Sequence, residues 1–87
     1  MTGDPARVDR TERLLNLVLC LMATRRAVSR ADIHSTVPGY GPVASGAAFE
    51  RMFERDKDEL RGMGIPVETV IDAHGDIEGY RVARDEY

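Results

Sequence analysis

The chain has no tryptophan, a single cysteine and a single lysine among 87 residues. One cysteine, Cys20, excludes an internal disulfide and any multi-cysteine zinc site. It makes a reducing, cytoplasmic setting the default expectation. Long apolar runs are missing too. The longest, residues 17 to 23, is far short of the ~18 residues that a membrane span needs. The first five residues carry an acid where a secretory signal has a basic segment and then an apolar one, so no signal is expected. There is no Gly-Lys-Ser/Thr loop, and Gly39-Tyr40-Gly41 has neither the preceding strand nor the third glycine of a dinucleotide fingerprint. His34 and His74 stand apart without an H-E-x-x-H pattern, so no metal and no cofactor is expected. A folded chain of this size buries only about 60% of its unfolded surface. That argues for one domain and against an enzyme with its own deep cleft.

What is present is a globular balance, 43% hydrophobic and 31% charged residues. The net charge of −3 is unevenly spread. The first thirty residues carry six arginines against three acids; the remainder carries six basic residues against twelve acids. Arginine is the better bidentate partner for phosphates and guanine edges. A net acidic domain is nonetheless unlike a strong, sequence-blind DNA binder.

Residues 1 to 8 read as a loose tail and residues 9 to 87 as one domain. Asp9 and Glu12 have capping-box spacing. Leu14, Leu17, Val18, Leu21 and Met22 then fall on one face of a first helix. This helix should end near Thr24-Arg25-Arg26, where cations suit the negative end of its dipole. Leu19 lies off that face, which predicts either wrapping by other elements, the favoured reading, or an external partner. Ser29 caps a short second helix with Ile33 and Val37 inward. Pro38-Gly39-Tyr40-Gly41-Pro42 is a loop that Tyr40 pins to the core. The third helix runs from Ser45 or Gly46 to Gly62, with Phe49, Phe53, Leu60 and Met63 on its core face and Gly64 as its stop. Asp56 falls inside this core stripe and needs a buried partner, for which Arg25 or Arg26 is the expected choice. Catalysis by Asp56 is the weaker alternative. Alternating residues 67 to 71, turn residues 73 to 76 and an extended stretch 78 to 82 predict a β-hairpin.

Three helices followed by a hairpin is the order expected of a mainly α fold, the winged helix-turn-helix, in which the third helix enters the major groove and the hairpin is the wing; the order alone is also that of small helix-hairpin domains that bind proteins. On the third helix Arg51 and Arg55 lie one turn apart, opposite the core, with Ala44, Ala47 and Ala48 in the same sector. Spacing alone fits solvated arginines paired with Glu50, Glu54 or Asp58 better than it fits a binding face.

The run from Phe49 to Pro66, with its core R-D-x-x-x-L-x-x-x-G, resembles the recognition-helix segment of bacterial WYL-domain transcriptional regulators. It is also similar to that of DeoR-type repressors. The likeness is greatest to regulators of the proteasome accessory factor B and C type. They share Arg13-Leu14-Leu15-Asn16-Leu17, Val37-Pro38-Gly39-Tyr40, the segment from Met52 to Arg61, and Gly79-Tyr80-Arg81. The resemblance covers residues 11 to 87. It implies an N-terminal winged-helix domain of a bacterial transcription regulator acting in the DNA-damage response, cytoplasmic and nucleoid-associated. The WYL domain is absent from this chain, and dimerisation, homo- or heteromeric, would use regions beyond it. It carries over Arg51 and Arg55 as DNA contacts and His74 and Gly75 as wing tip. Lys57 stands where DeoR-type repressors usually have leucine, and the segment from Asp72 to Asp76 is acidic, which weakens any wing contact to phosphate.

The expected double-stranded DNA interface comprises Arg30, Ser45, Ala47, Ala48, Arg51, Arg55, His74 and Gly75. Asp56, Phe49, Phe53 and Leu60 are its structural support. The rival expectation is a winged-helix protein-interaction module that does not bind DNA. Cys20 is expected as a small apolar residue on the first helix, and the charges from Glu54 to Glu59 as mostly a solvated face.

Overall fold

Asp9 opens the first helix, α1 (Arg10–Met22), by accepting the Glu12 N–H on its side chain at 2.8 Å. The computed structural model describes residues 8–43 and 46–83. Residues 1–7 of the expected tail, and Ser45, lie outside the described residues. Leu14, Leu17 and Leu21 are buried on α1 as their spacing requires. The helix stops at Met22, before Thr24, so Arg25 and Arg26 lie in the following turn and no cation occupies its last turn. Ser29 caps α2 (Arg30–Thr36) through the Asp32 N–H, and Ile33 and Val37 are buried.

The longest helix, α3 (Ala47–Gly62), buries Phe49, Phe53 and Leu60. It ends in a Schellman turn. Gly64, with φ of 90°, donates to the Arg61 carbonyl, and Ile65 donates to that of Leu60. This turn corrects the expectation for Met63, which is 58% exposed. Met63 is already the capping residue, and Ile65 packs against the core after the chain reverses.

Strands β1 (Val67–Ile71) and β2 (Ile77–Val82) form the antiparallel hairpin, with a register shift between Val70 and Ile71. A feature not expected from the sequence joins its other edge. Val28 exchanges both backbone hydrogen bonds with Tyr80, at 2.8 and 2.9 Å, ahead of α2. The neighbouring Gly79 has no side chain for a reason: a Cβ there would sit 2.5 Å from the Val28 carbonyl oxygen.

Asp56 is 1% exposed and held from two sides. Arg13 donates to it from Nε at 2.7 Å and from Nη2 at 2.9 Å, and the Tyr40 hydroxyl donates at 2.5 Å. The partner is therefore Arg13, not Arg25 or Arg26. The helices run antiparallel, so Arg10 meets Glu59 and Arg13 meets Asp56, which leaves residues 25 and 26 beyond the far end of α1. The loop 38–42 closes over this site because Gly39, with φ of 111°, lies against the Arg13 stem, where a Cβ would approach to 2.8 Å. The hydrogen bond to Asp56 is the main cause that raises the Arg13 pKa. Burial first, and then Asp56, push the Tyr40 phenol well above its ordinary value, so it stays a donor. Leu19 is not wrapped by the described residues: it is 58% exposed.

Breaking this cluster on one side strands a buried charge. Asp56→Ala should cost about 3–5 kcal/mol in urea unfolding, while a paired Arg13→Met, Asp56→Leu variant should recover most of that loss. Equal loss in both variants would contradict the assignment.

Candidate nucleic-acid interface

The outward face of α3 combines small residues with two arginines. Ala47, Ala48, Arg51 and Arg55 are all exposed, and Ala48, Arg51 and Arg55 line a shallow cleft with Val43 and Met52. Gly46 is the N-cap and offers no side-chain acceptor, so no side chain of the cap satisfies the first N–H groups of the helix.

The pairing of the carboxylates decides what these arginines are. Glu50 bonds Arg30 at 2.7 Å, Glu54 bonds Lys57 at 2.9 Å, Asp58 pairs with Arg61 at 3.6 Å, and Glu59 pairs with Arg10. Asp56 is taken by Arg13. Every acid of α3 thus has another cation as partner. Among the described residues Arg51 and Arg55 have no hydrogen-bond or ion-pair partner. The expected pairing with Glu50, Glu54 or Asp58 does not form.

Arg30 is placed differently. Its Nη1 reaches Glu50 and its Nη2 reaches the Tyr80 hydroxyl at 3.3 Å, so it ties α2 to α3 and to β2. The Tyr80 hydrogen bond is the main cause that raises its pKa. His34 braces the approach to α3. Its Nε2 lies 2.7 Å from the Val43 carbonyl oxygen, and its ring stands edge-on to Phe49 at 4.8 Å.

Lys57 is the residue that sequence reasoning missed. It is 4% exposed, which corrects the view of residues 54 to 59 as a largely solvated face. Its Nζ lies 4.4 Å from the Tyr80 ring centroid and 5.0 Å from that of Phe53. A cation over two ring faces, with Glu54 at its tip, can be buried without stranding a charge. The available signal was the aromatic Phe53 one turn before Lys57; the other ring comes from β2.

The wing tip exposes His74 and Gly75. Gly75 takes the positive φ of 87°, and His74 does not have one. Asp72 turns inward, accepting the N–H groups of His74 and Asp76 on Oδ1 at 2.8 and 3.0 Å. Asp76 and Glu78 remain, with carboxylates that have no partner among the described residues, while Arg81 is taken by Glu68. The hairpin therefore presents residual negative charge. Among the described residues no three His, Cys, Asp or Glu side chains are grouped to hold a metal ion, and no helix is long and apolar enough to cross a membrane.

No protein-family model matches the chain. The PafB proteins of Mycobacterium tuberculosis and Mycobacterium bovis are 49% identical to it over 80 residues, and that of Mycobacterium leprae is 48% identical. Over that stretch the chain is similar to these PafB proteins. The match takes in 91% of this chain and 24% of each relative, so the chain spans about a quarter of the length of the curated relatives it matches. This is consistent with a domain of PafB-type regulators.

If Arg51 and Arg55 have no structural partner, truncating them should hardly affect folding. Arg51→Ala and Arg55→Ala should each leave the unfolding free energy within about 0.5 kcal/mol. Lys57→Ala should cost about 1–3 kcal/mol through its lost packing. Denaturant titration of the three variants checks this ordering.

Proposed function

We propose that this chain is the duplex-reading head of a WYL-type transcription regulator, with α3 in the major groove. The observation that carries this reading is the pair Arg51 and Arg55, unpartnered above an alanine-lined surface on a helix whose every carboxylate is neutralised elsewhere. An unpaired guanidinium keeps all its donors for a guanine edge or a phosphate. The alanines let the helix backbone approach the groove floor. Ala47 and Ala48 mark the end of α3 that enters, where free N–H groups favour phosphate; Ser45, outside the described residues, is assigned to the same interface. Arg30 reaches the DNA backbone by exchanging Glu50 for a phosphate oxygen, and His74 and Gly75 are the part of the wing closest to the duplex.

The PafB likeness supports a role in regulation, here read as the bacterial DNA-damage response, in the nucleoid, with further domains supplying effector sensing and dimerisation. The chain is read as a binding domain and not an enzyme. One observation favours a second reading, a protein-interaction module: the wing is anionic and α1 leaves leucines exposed.

Selection from a random duplex library at low salt tests the first reading. Wild type should enrich a motif, and Arg51→Ala should lose about 1–3 kcal/mol on that site if it reads a guanine, with relaxed preference at one position. Binding should fall steeply with salt through counterion release. A folded wild-type chain that enriches nothing would contradict the reading.

A further inference from the structure

Glu50 stands apart among the acids of α3. Asp56 is buried, Glu54 holds the buried Lys57, and Asp58 and Glu59 lie in the second half of the helix. Glu50 is the acid of the first turn, at the end assigned to the groove. Its side chain is 54% exposed and takes Nη1 of Arg30 at 2.7 Å. This pair crosses from α2 to α3 beside Gly46, along a hollow that Ala31 and His34 also line. At about 100° per residue, Glu50 borders the arginine face on the side turned to α2.

We propose that Glu50 is a specificity-determining residue of the DNA face, one that leaves Arg30 for the exocyclic amino group of a cytosine. This inference rests on the proposed DNA reading and deepens it, since it names one base that the site requires.

Two features make Glu50 the acid of α3 that can change partner. Its ion pair is exposed, and exposed pairs add little stability. Arg30 also keeps a second partner, the Tyr80 hydroxyl at 3.3 Å, which holds the guanidinium in place when the carboxylate leaves. A phosphate can then occupy the position of the carboxylate, because both accept from a guanidinium. The displaced carboxylate needs a donor, since the DNA backbone offers it only like charge. An ionised carboxylate accepts and does not donate. In the major groove cytosine presents an amino group, whereas guanine and thymine present acceptors. Adenine has an amino group as well, but its N7 would turn a lone pair toward the carboxylate. On the right sequence Arg30 and Glu50 therefore each exchange one partner for another. On a wrong one Glu50 stays with Arg30, and the phosphate contact is not made. Discrimination then comes from a charge left unsatisfied as well as from a matched one.

Repeating the duplex selection with Glu50→Ala and Glu50→Gln beside wild type tests the inference. The wild-type motif should hold one C·G pair whose preference Glu50→Ala erases and Glu50→Gln moves toward adenine, because a glutamine amide pairs with adenine. The other positions should be kept. Changing that pair in the enriched duplex should weaken wild type about tenfold and leave Glu50→Ala unmoved. Arg30→Met should lower the salt dependence of binding by about one phosphate on the enriched duplex, and not on a mixed-sequence one. Glu50 is exposed, so both of its variants should stay folded by circular dichroism. A Glu50 that only steadies α3 or repels DNA would change affinity on all sequences alike and keep the motif. That result, with a motif that Arg51→Ala still alters, would overturn the inference and leave the DNA reading standing. A folded wild type that enriches nothing would overturn both.

Discussion

Asp56 stands where α1, the loop 38–42 and α3 cross, and its carboxylate takes donors from Arg13 and Tyr40 at once. A buried charge of this kind tolerates few arrangements. Burial of Asp56 is compensated only while α1 lies antiparallel to α3 and the loop covers the pair. The cluster therefore fixes which side of α3 faces inward. The side that faces outward, with Ala47, Ala48, Arg51 and Arg55, is a consequence of that constraint.

A second set of contacts holds α3 against the hairpin. Lys57 lies over Tyr80 and Phe53, and Tyr80 also meets Arg30, which holds Glu50. The same tyrosine exchanges backbone bonds with Val28. Residues from α2, α3 and the segment before α2 thus converge on this one residue of β2. Arg30 takes Glu50, and the pairs of Glu54, Asp56, Asp58 and Glu59 engage the remaining acids of α3, so the helix is left with unshared positive charge on one face. A domain with a net charge of −3 can in this way still present a local cationic surface.

Much of the fold was legible in the sequence. Capping residues Asp9 and Ser29, the apolar periodicities and the Gly64 stop mark the helices to within a few residues. The hairpin was legible from its alternation and turn residues. The need of Asp56 for a partner was legible, but the identity of that partner was not, because it depends on how two helices align. Lys57 was hidden for a related reason: one of its rings comes from a distant strand. The pairing of Val28 left no trace, since a single residue shows no alternation. For the candidate site, the arginine face could be read from spacing. Its unpaired state could not, because that depends on where every neighbouring carboxylate turns.

The central claim is that the positive charge left over on α3 is the surface that meets DNA. The most direct measurement is a nuclear magnetic resonance titration of the isotope-labelled chain with a mixed-sequence duplex at low salt. The account predicts shifts concentrated on residues 46 to 55, with the side-chain Nε–H signals of Arg51 and Arg55 among the most affected. Shifts confined to α1 and the hairpin, with those signals unmoved at saturation, would contradict it.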